Sequence, residues 1–302
     1  MRPPESASRA ATPRFLGLTE AEASLDAARY VVLPVAYEAT VSWVAGTAKG
    51  PRALLEASEN LELYDEELRA ETYRAGIATL DEVRSEAPPE EFLPELYEEC
   101  LGAGAGDRVV GMVGGEHSIT FPAVKACYER YPDLTVLQLD AHADLRDTYD
   151  GTPDSHACVM RRVNEIVPIV QVGIRSLSAE EAPVIDSGAG PGGAIQTHFL
   201  HDGWPDDLAD RVSAGLSKNV YITFDLDVLD PAILPATGTP EPGGLDWYRA
   251  VGLLRKIFER HHVVGFDIVE LAPRPGEHAS DFLAAKLLYR MIGYHARAAG
   301  LV

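Results

Sequence analysis

The chain has 302 residues, 46% of them hydrophobic, with 47 acidic against 26 basic side chains and a formal net charge of −21 at pH 7. That length and content support a large buried core, and the acidic balance argues against nucleic-acid binding because no basic patch offers itself to phosphates. No apolar run reaches the roughly 18–20 residues that span a bilayer, and Cys100, Cys127 and Cys158 form neither a metal spacing nor an even disulfide framework, which fits a reducing cytoplasm.

In chain order, residues 1–20 mix Pro, Ser, Ala and Arg without an apolar segment, so they read as a loose N-terminal arm and not a secretory signal. A strand is expected over 31–35 and a helix over 51–59, and the carboxylates in 65–71 and 86–99 read as solvated helix faces. A buried strand over 109–113 ends in Gly114-Gly115-Glu116-His117-Ser118, where two glycines permit a tight turn, and a helix follows over 119–130. The strand over 134–139 runs into Asp140-Ala141-His142-Ala143-Asp144. After a loop over 148–157 come a strand over 166–172 and a Gly- and Pro-rich surface loop over 187–193. The strand over 220–224 runs into Asp225-Leu226-Asp227; a helix over 245–260, a strand over 263–269 ending at Glu270, and a helix over 281–299 complete the chain. Near-continuous apolar strands alternating with helices mean a parallel sheet covered on both faces.

The three motifs carry the chemistry. Alternate residues of a strand project to one side, so Asp140, His142 and Asp144 converge as their strand runs out, and so do Asp225 and Asp227. In open parallel sheets, ligands bind outside the carboxyl ends of the strands, which adds His117. Four aspartates and two histidines aimed at one spot repel each other unless a cation lies between them. Six ligands suit two divalent ions if two carboxylates bridge. A set of oxygen and imidazole donors without thiolate favours Mn(II), with Zn, Co and Ni still open on affinity. Such a pair activates water as a nucleophile at neutral pH, so hydrolysis is the natural reaction class. Ligands drawn from early, middle and late strands point to one continuous α/β domain over 21–302. The bland alternative for a lone aspartate after a strand is a cap or turn residue. Asp230, Glu116 and Asp147 are assigned no ligand role, and His198, His261, His262 and His278 read as surface or turn residues.

These residues resemble the ureohydrolase family, which includes arginase and agmatinase. The likeness rests on Gly114-Gly115-Glu116-His117-Ser118, Asp140-Ala141-His142-Ala143-Asp144, Ser155-His156, the run from Phe224 to Asp230, and Gly238-Thr239-Pro240 followed by Gly243-Gly244-Leu245. The stretch from Leu33 to Thr40, with Gly46-Thr47 and Lys49-Gly50-Pro51-Arg52 after it, is similar to bacterial and archaeal agmatinases. The resemblance implies a three-layer αβα sandwich with a mainly parallel eight-stranded sheet. It implies two Mn(II) per subunit, one bound by His117, Asp140, Asp144 and Asp225, the other by Asp140, His142, Asp225 and Asp227. It places Glu270 on the substrate guanidinium and His156 near the scissile carbon as the proton carrier to the leaving amine. Attack of a metal-bridging hydroxide would release urea and an amine. Homo-oligomers, trimers or hexamers, are usual in the family.

For the substrate, arginases carry an asparagine two residues before the family histidine, where this chain has Asp154. An anion there would repel a carboxylate tail and attract an ammonium, so the expected substrate is agmatine, a small cationic guanidino compound, with putrescine as the second product. The net charge favours a dicationic substrate in the same sense. Two departures, Ala157-Cys158-Val159-Met160 where agmatinases read Gly-Thr-Pro-Phe and Trp43-Val44-Ala45-Gly46 for Tyr-Gly-Pro-Gly, fall on the tail pocket and touch no metal ligand. The competing readings are an amidinohydrolase acting on guanidinobutyrate, another guanidino acid or formiminoglutamate, and a catalytically idle metal-binding homologue. A metal-dependent deacetylase would leave the bridging carboxylates and the Gly238-Thr239-Pro240 loop unexplained.

Overall fold

Strands and helices alternate through residues 11–302, which the computed structural model describes. The first half contains β1 (Tyr30–Ala36), α1 (Gly50–Ser58), β2 (Tyr64–Asp65), β3 (Ala70–Glu71), β4 (Ile77–Thr79), β5 (Val83–Arg84), α2 (Pro89–Ala103), β6 (Val109–Gly114), α3 (Thr120–Arg130) and β7 (Leu134–Leu139). The second contains α4 (Val159–Val163), β8 (Ile169–Ile174), α5 (Ala182–Ser187), β9 (Ala189–Gly190), β10 (Gly193–Phe199), α6 (Leu208–Gly215), β11 (Asn219–Asp225), α7 (Trp247–Arg260), β12 (His262–Val269) and α8 (Ala279–Ala298). No helix among them is long and apolar enough to cross a membrane.

Among the described residues ten strands form one sheet in the order β4-β1-β6-β12-β11-β7-β8-β10-β9, with β5 also pairing β1. Every pairing is parallel except β9 on β10. Because β4 and β5 occupy the same edge of β1 one after the other, the sheet has the eight expected lanes plus the two-residue β9. Period-two alternation assigns each strand residue to a face. Val32, Leu137, Phe224 and Phe266 pack into one core with residues of α1, α6, α7 and α8. Val31, Leu33, Val136 and Tyr221 pack into another with residues of α2, α3 and α4. The sandwich thus has three layers.

Three expectations fail. The stretch 65–71 is not a solvated helix face, because β2 and β3 pair there and Asp65 is buried against Arg290. The stretch 187–193 is not a plain surface loop, because β9 and β10 close a hairpin there, Gly193 facing Gly190. The arm is not loose along its whole length. Residues 1–10 lie outside the described residues, but Phe15, Leu16 and Leu18 are buried in the core. Three backbone contacts tie this part down: Phe15 N–H donates to Thr79 Oγ1, Leu16 N–H to Ser58 Oγ, and Glu82 N–H to Thr12 Oγ1. Three large apolar side chains in one short stretch outweigh the polar neighbours.

The connectivity places four strands side by side at the centre, β6-β12-β11-β7, and all their carboxyl ends face one edge. Phe224 pairs with Leu139 and Asp225 with Val269, so the chain leaves β7, β11 and β12 at one level.

Candidate metal centre

Each of those ends turns sharply. After β6 the chain crosses under Tyr37, where a Cβ on Gly115 would lie 1.9 Å from the Tyr37 carbonyl oxygen, so only glycine passes. Glu270 N–H donates to Gly115 O at 2.8 Å, and His117 N–H donates to Glu270 Oε1 at 2.7 Å, which locks the β6 and β12 ends together. After β7, Asp140 Oδ1 accepts the His142 N–H at 2.6 Å and Asp140 Oδ2 accepts from Gln138 Nε2 at 2.7 Å. After β11, Asp225 Oδ1 accepts the Asp227 N–H at 2.8 Å, and Asp227 Oδ1 accepts the Ala141 N–H at 3.0 Å. Asp140 and Asp225 each spend one oxygen on their own turn, Asp227 spends one on the turn after β7, and each turns the other oxygen toward the centre.

There His117 Nδ1 lies 3.2 Å from Asp140 Oδ2, 3.1 Å from Asp144 Oδ2 and 3.3 Å from Asp225 Oδ2. His142 Nδ1 lies 2.9 Å from Asp227 Oδ2 and 3.7 Å from Asp140 Oδ1. Two groups of donor atoms close enough to share an ion result, His117-Asp140-Asp144 and Asp140-His142-Asp227, with Asp140 common to both. All six residues expected from the sequence are brought together, and Asp140 occupies the junction.

The donors fit a metal on one particular observation. His117 Nδ1 is buried and makes no hydrogen bond. On its far side, Nε2 lies 2.8 Å from Thr223 Oγ1, whose proton goes to Asp267 Oδ1 at 2.6 Å. Thr223 must then accept from Nε2–H, so Nδ1 is the ring nitrogen left to face three carboxylates, and it offers a lone pair to an ion once its own proton is displaced. Thr120 and Tyr221 hydroxyls complete the hold on Asp267 Oδ2. Among the described residues no Lys or Arg forms an ion pair with the four aspartates.

The electrostatics express that deficit. Burial, with Asp144 and Asp227 nearby, pushes Asp140 up to about 7, and burial with Asp227 and Asp140 raises Asp225 well above the carboxylate range. Burial alone would lower both ring pKa values, but the surrounding aspartates raise His117 well above normal and His142 to about 11. Burial works against Asp227 too, yet His142 holds it down to about 2. Burial and Glu116 raise Glu270, a carboxyl group in need of a cation.

Five of the six, all but the fully buried Asp140, line a cavity of about 180 Å³ that Ser42, Arg146, Tyr149, His156, Glu181, Thr239 and Glu270 also line. Thr40 and Ser42 bracket the His156 ring, and the Tyr149 ring meets it edge-on with centroids 5.7 Å apart. Burial lowers the His156 pKa and keeps the ring neutral near pH 7. Asp154 is elsewhere. It lines a neighbouring groove with Leu93, Tyr97, Phe121 and Lys125, because a turn in which Asp154 N–H donates to Thr152 Oγ1 carries it away before Ser155 and His156 return to the site. The expectation that Asp154 reads the substrate tail is therefore withdrawn.

Sequence reasoning missed Thr40, Ser42, Thr223, Asp267 and Arg175. Arg175 follows β8 and clamps two loops, donating from Nη2 to Asp227 O at 2.7 Å and to Glu241 O at 3.1 Å. The one signal available for Thr40 was its place in the run from Leu33 to Thr40; Asp267 reads simply as part of an apolar strand.

Comparison with known proteins agrees with this geometry. Residues 28–293 match the model of the arginase family. The chain is 37% identical over 284 residues to N(1)-aminopropylagmatine ureohydrolase of Synechocystis sp., covering 91% of this chain and 92% of that protein. It is 34% identical over 273 residues to agmatinase of Pyrococcus horikoshii, covering 89% and 93%. The crystal structure of agmatine ureohydrolase of Thermoplasma volcanium matches with a TM-score of 0.81 at 31% identity, covering 93% of this chain and 94% of that one.

Proposed function

This chain belongs to the arginase family and is a ureohydrolase of agmatine-like substrates, and from that premise we propose that it releases urea from N(1)-aminopropylagmatine or agmatine with two Mn(II) ions per subunit. The observation that carries the reading is the cluster of four aspartates and two histidines, all but His142 buried, without a lysine or arginine partner among the described residues and with His117 Nδ1 lacking a hydrogen-bond partner. His117, Asp140, Asp144 and Asp225 would hold one ion; Asp140, His142, Asp225 and Asp227 the other. When bound, the pair supplies the Lewis acidity that makes water nucleophilic at neutral pH.

The remaining work falls to the chain's own side chains. Glu270, anchored at Oε1 by the His117 amide, leaves Oε2 to pair with the guanidinium and orient it. That cation also meets the raised proton affinity of Glu270, which burial created. The departing amine needs a proton, and the neutral His156 ring is placed to take one up and hand it on. A general acid at that point is required because the free amide anion of an amine is a prohibitive leaving group. Arg146 and Glu181 line the same cavity.

With Asp154 outside the cavity, nothing in the sequence reading restricts the tail to the length of agmatine. The higher identity to the Synechocystis enzyme, 37% against 34% for the Pyrococcus agmatinase, favours the aminopropylated substrate over agmatine. The cytoplasm and a homo-oligomer, trimer or hexamer, complete the proposal. Urea release by manganese-reconstituted protein from N(1)-aminopropylagmatine, agmatine, arginine and guanidinobutyrate, measured side by side, tests it. The expected result is the highest kcat/KM for N(1)-aminopropylagmatine. A preference for agmatine reverses the tail assignment, and a preference for either acid overturns the cationic-tail reading while keeping the chemistry.

A further inference from the structure

The hydroxyl of Thr40 lies between a buried carboxylate and the ring of His156. Glu116 is fully buried and collects four donors: Ala39 N–H at 3.2 Å and Thr40 N–H at 2.6 Å on Oε2, Thr40 Oγ1 at 2.8 Å and Ser118 Oγ at 2.8 Å on Oε1. Thr40 has a single proton, and a carboxylate claims it more strongly than a neutral ring nitrogen would. What Thr40 turns toward His156 is therefore lone pairs. It accepts the His156 backbone N–H at 3.1 Å and lies 3.1 Å from His156 Nδ1. A bare Nδ1 there would set two lone pairs against each other, whereas a protonated Nδ1 makes a hydrogen bond. Ser155 Oγ, 3.2 Å from Nδ1, serves as a second acceptor of the same proton.

At the other side of the ring, Ser42 Oγ lies 2.9 Å from Nε2 and 3.2 Å from the Tyr149 hydroxyl. Its one proton can go to either, and neither rival is charged. The balance of claims is unequal: a carboxylate fixes the Thr40 proton, and nothing comparable fixes that of Ser42. We propose that Glu116, acting through Thr40, holds His156 as the Nδ1–H tautomer and so makes Nε2 the atom that takes up and delivers the proton, with Glu116 and Thr40 as positioning residues. The inference rests on the reading of His156 as the proton carrier. It assigns a purpose to a carboxylate that holds no metal, and to the segment 39–42, which is far from His156 in sequence. The logic is that of a carboxylate orienting a catalytic imidazole, with a threonine hydroxyl interposed.

The test combines tautomer and rate. Full-length protein labelled with 15N-histidine and loaded with diamagnetic Zn(II) is observed at pH 8, with His156→Ala identifying the signals. The wild type is expected to show a protonated Nδ1 and a bare Nε2 at His156. Thr40→Val should shift the proton toward Nε2 and lower kcat roughly 10²-fold, the low end of what a positioned proton carrier contributes, with KM and manganese content unchanged. Thr40→Ser should restore both. An Nε2–H ring in the wild type overturns the inference, even if Thr40→Val fails to fold. So does a Thr40→Val protein that keeps the Nδ1–H ring, or one that changes tautomer at wild-type kcat while His156→Ala is slow. If His156→Ala itself turns over at the wild-type rate, the proton-carrier reading is what fails.

Discussion

Two clusters of charge, each gathered on a buried residue, are built in opposite ways in this molecule. Around Arg290, on α8, Asp65, Glu66 and Glu67 meet the guanidinium, Arg255 adds a contact to Glu67, and Lys286 adds one to Glu66. Three cations thus face three carboxylates, and hydrogen bonding to Arg290 holds Glu66 down to about 2. At the carboxyl ends of β6, β7, β11 and β12, four aspartates meet two imidazoles and no lysine or arginine among the described residues, and Asp140 is pushed the other way, to about 7. Arg290 and Asp140 are both nearly inaccessible. The difference is that one cluster brings its own counter-charge and the other leaves it to a guest. A buried charge cluster that does not balance internally is the mark of a binding centre; one that does is a structural tie.

Substitutions sharpen or break that contrast. The largest effect is expected for Asp140→Asn, which should abolish urea release and manganese uptake while raising the thermal midpoint of the metal-free protein, because one repelling carboxylate is gone. Metal content and calorimetry check it, and an intact two-ion stoichiometry would break the contrast. Next comes His156→Ala, which should retain both ions and lose roughly 10²–10⁴ in kcat; steady-state rates with metal analysis decide it. Arg290→Met should spare metal content but cost about 3 kcal/mol in a denaturant titration, since Asp65 is left buried without its cation. The smallest effect concerns a group that avoids charge altogether. Burial lowers His295 to about 4, and its Nδ1 lies 2.8 Å from the Tyr30 hydroxyl. Its folded pKa is below the ordinary value, so the unfolded chain binds the extra proton between pH 6.5 and 4. Stability present above that window should fall on acidification through it, by at most about 1.4 kcal/mol per pH unit. The slope should be shallower in His295→Gln.

The clustering of the six residues was legible because strand ends write it plainly: an apolar run, then acidic or imidazole residues at alternate positions. The central strands were legible for the same reason, within a residue or three of their ends. What escaped depends on lateral neighbours. Asp267 lies in mid-strand, and its tie to Thr223 and through it to His117 exists only because β12 pairs with β11. Thr40 reaches His156 across 116 positions of sequence. Asp154 was misplaced by a turn whose course depends on one side-chain hydrogen bond, Thr152 Oγ1 accepting from its amide. The packing of Phe15, Leu16 and Leu18 was missed because a polar, Pro-containing composition was averaged over a stretch in which three apolar residues decide the outcome.

Asp144 and Glu270 share a further property with consequences for redesign. Both adopt positive φ, 54° and 69°, in a region that glycine occupies freely and other residues enter at a cost of about 1 kcal/mol each. Asp144 is held there by two amides at the start of α4 on its carbonyl, Glu270 by Gly115. A thermostability screen blind to activity would therefore favour glycine or asparagine at these two positions and remove a proposed metal-facing carboxylate and the proposed guanidinium partner with them. Stabilised variants of this protein should be sought at its other sites, with 144 and 270 held constant.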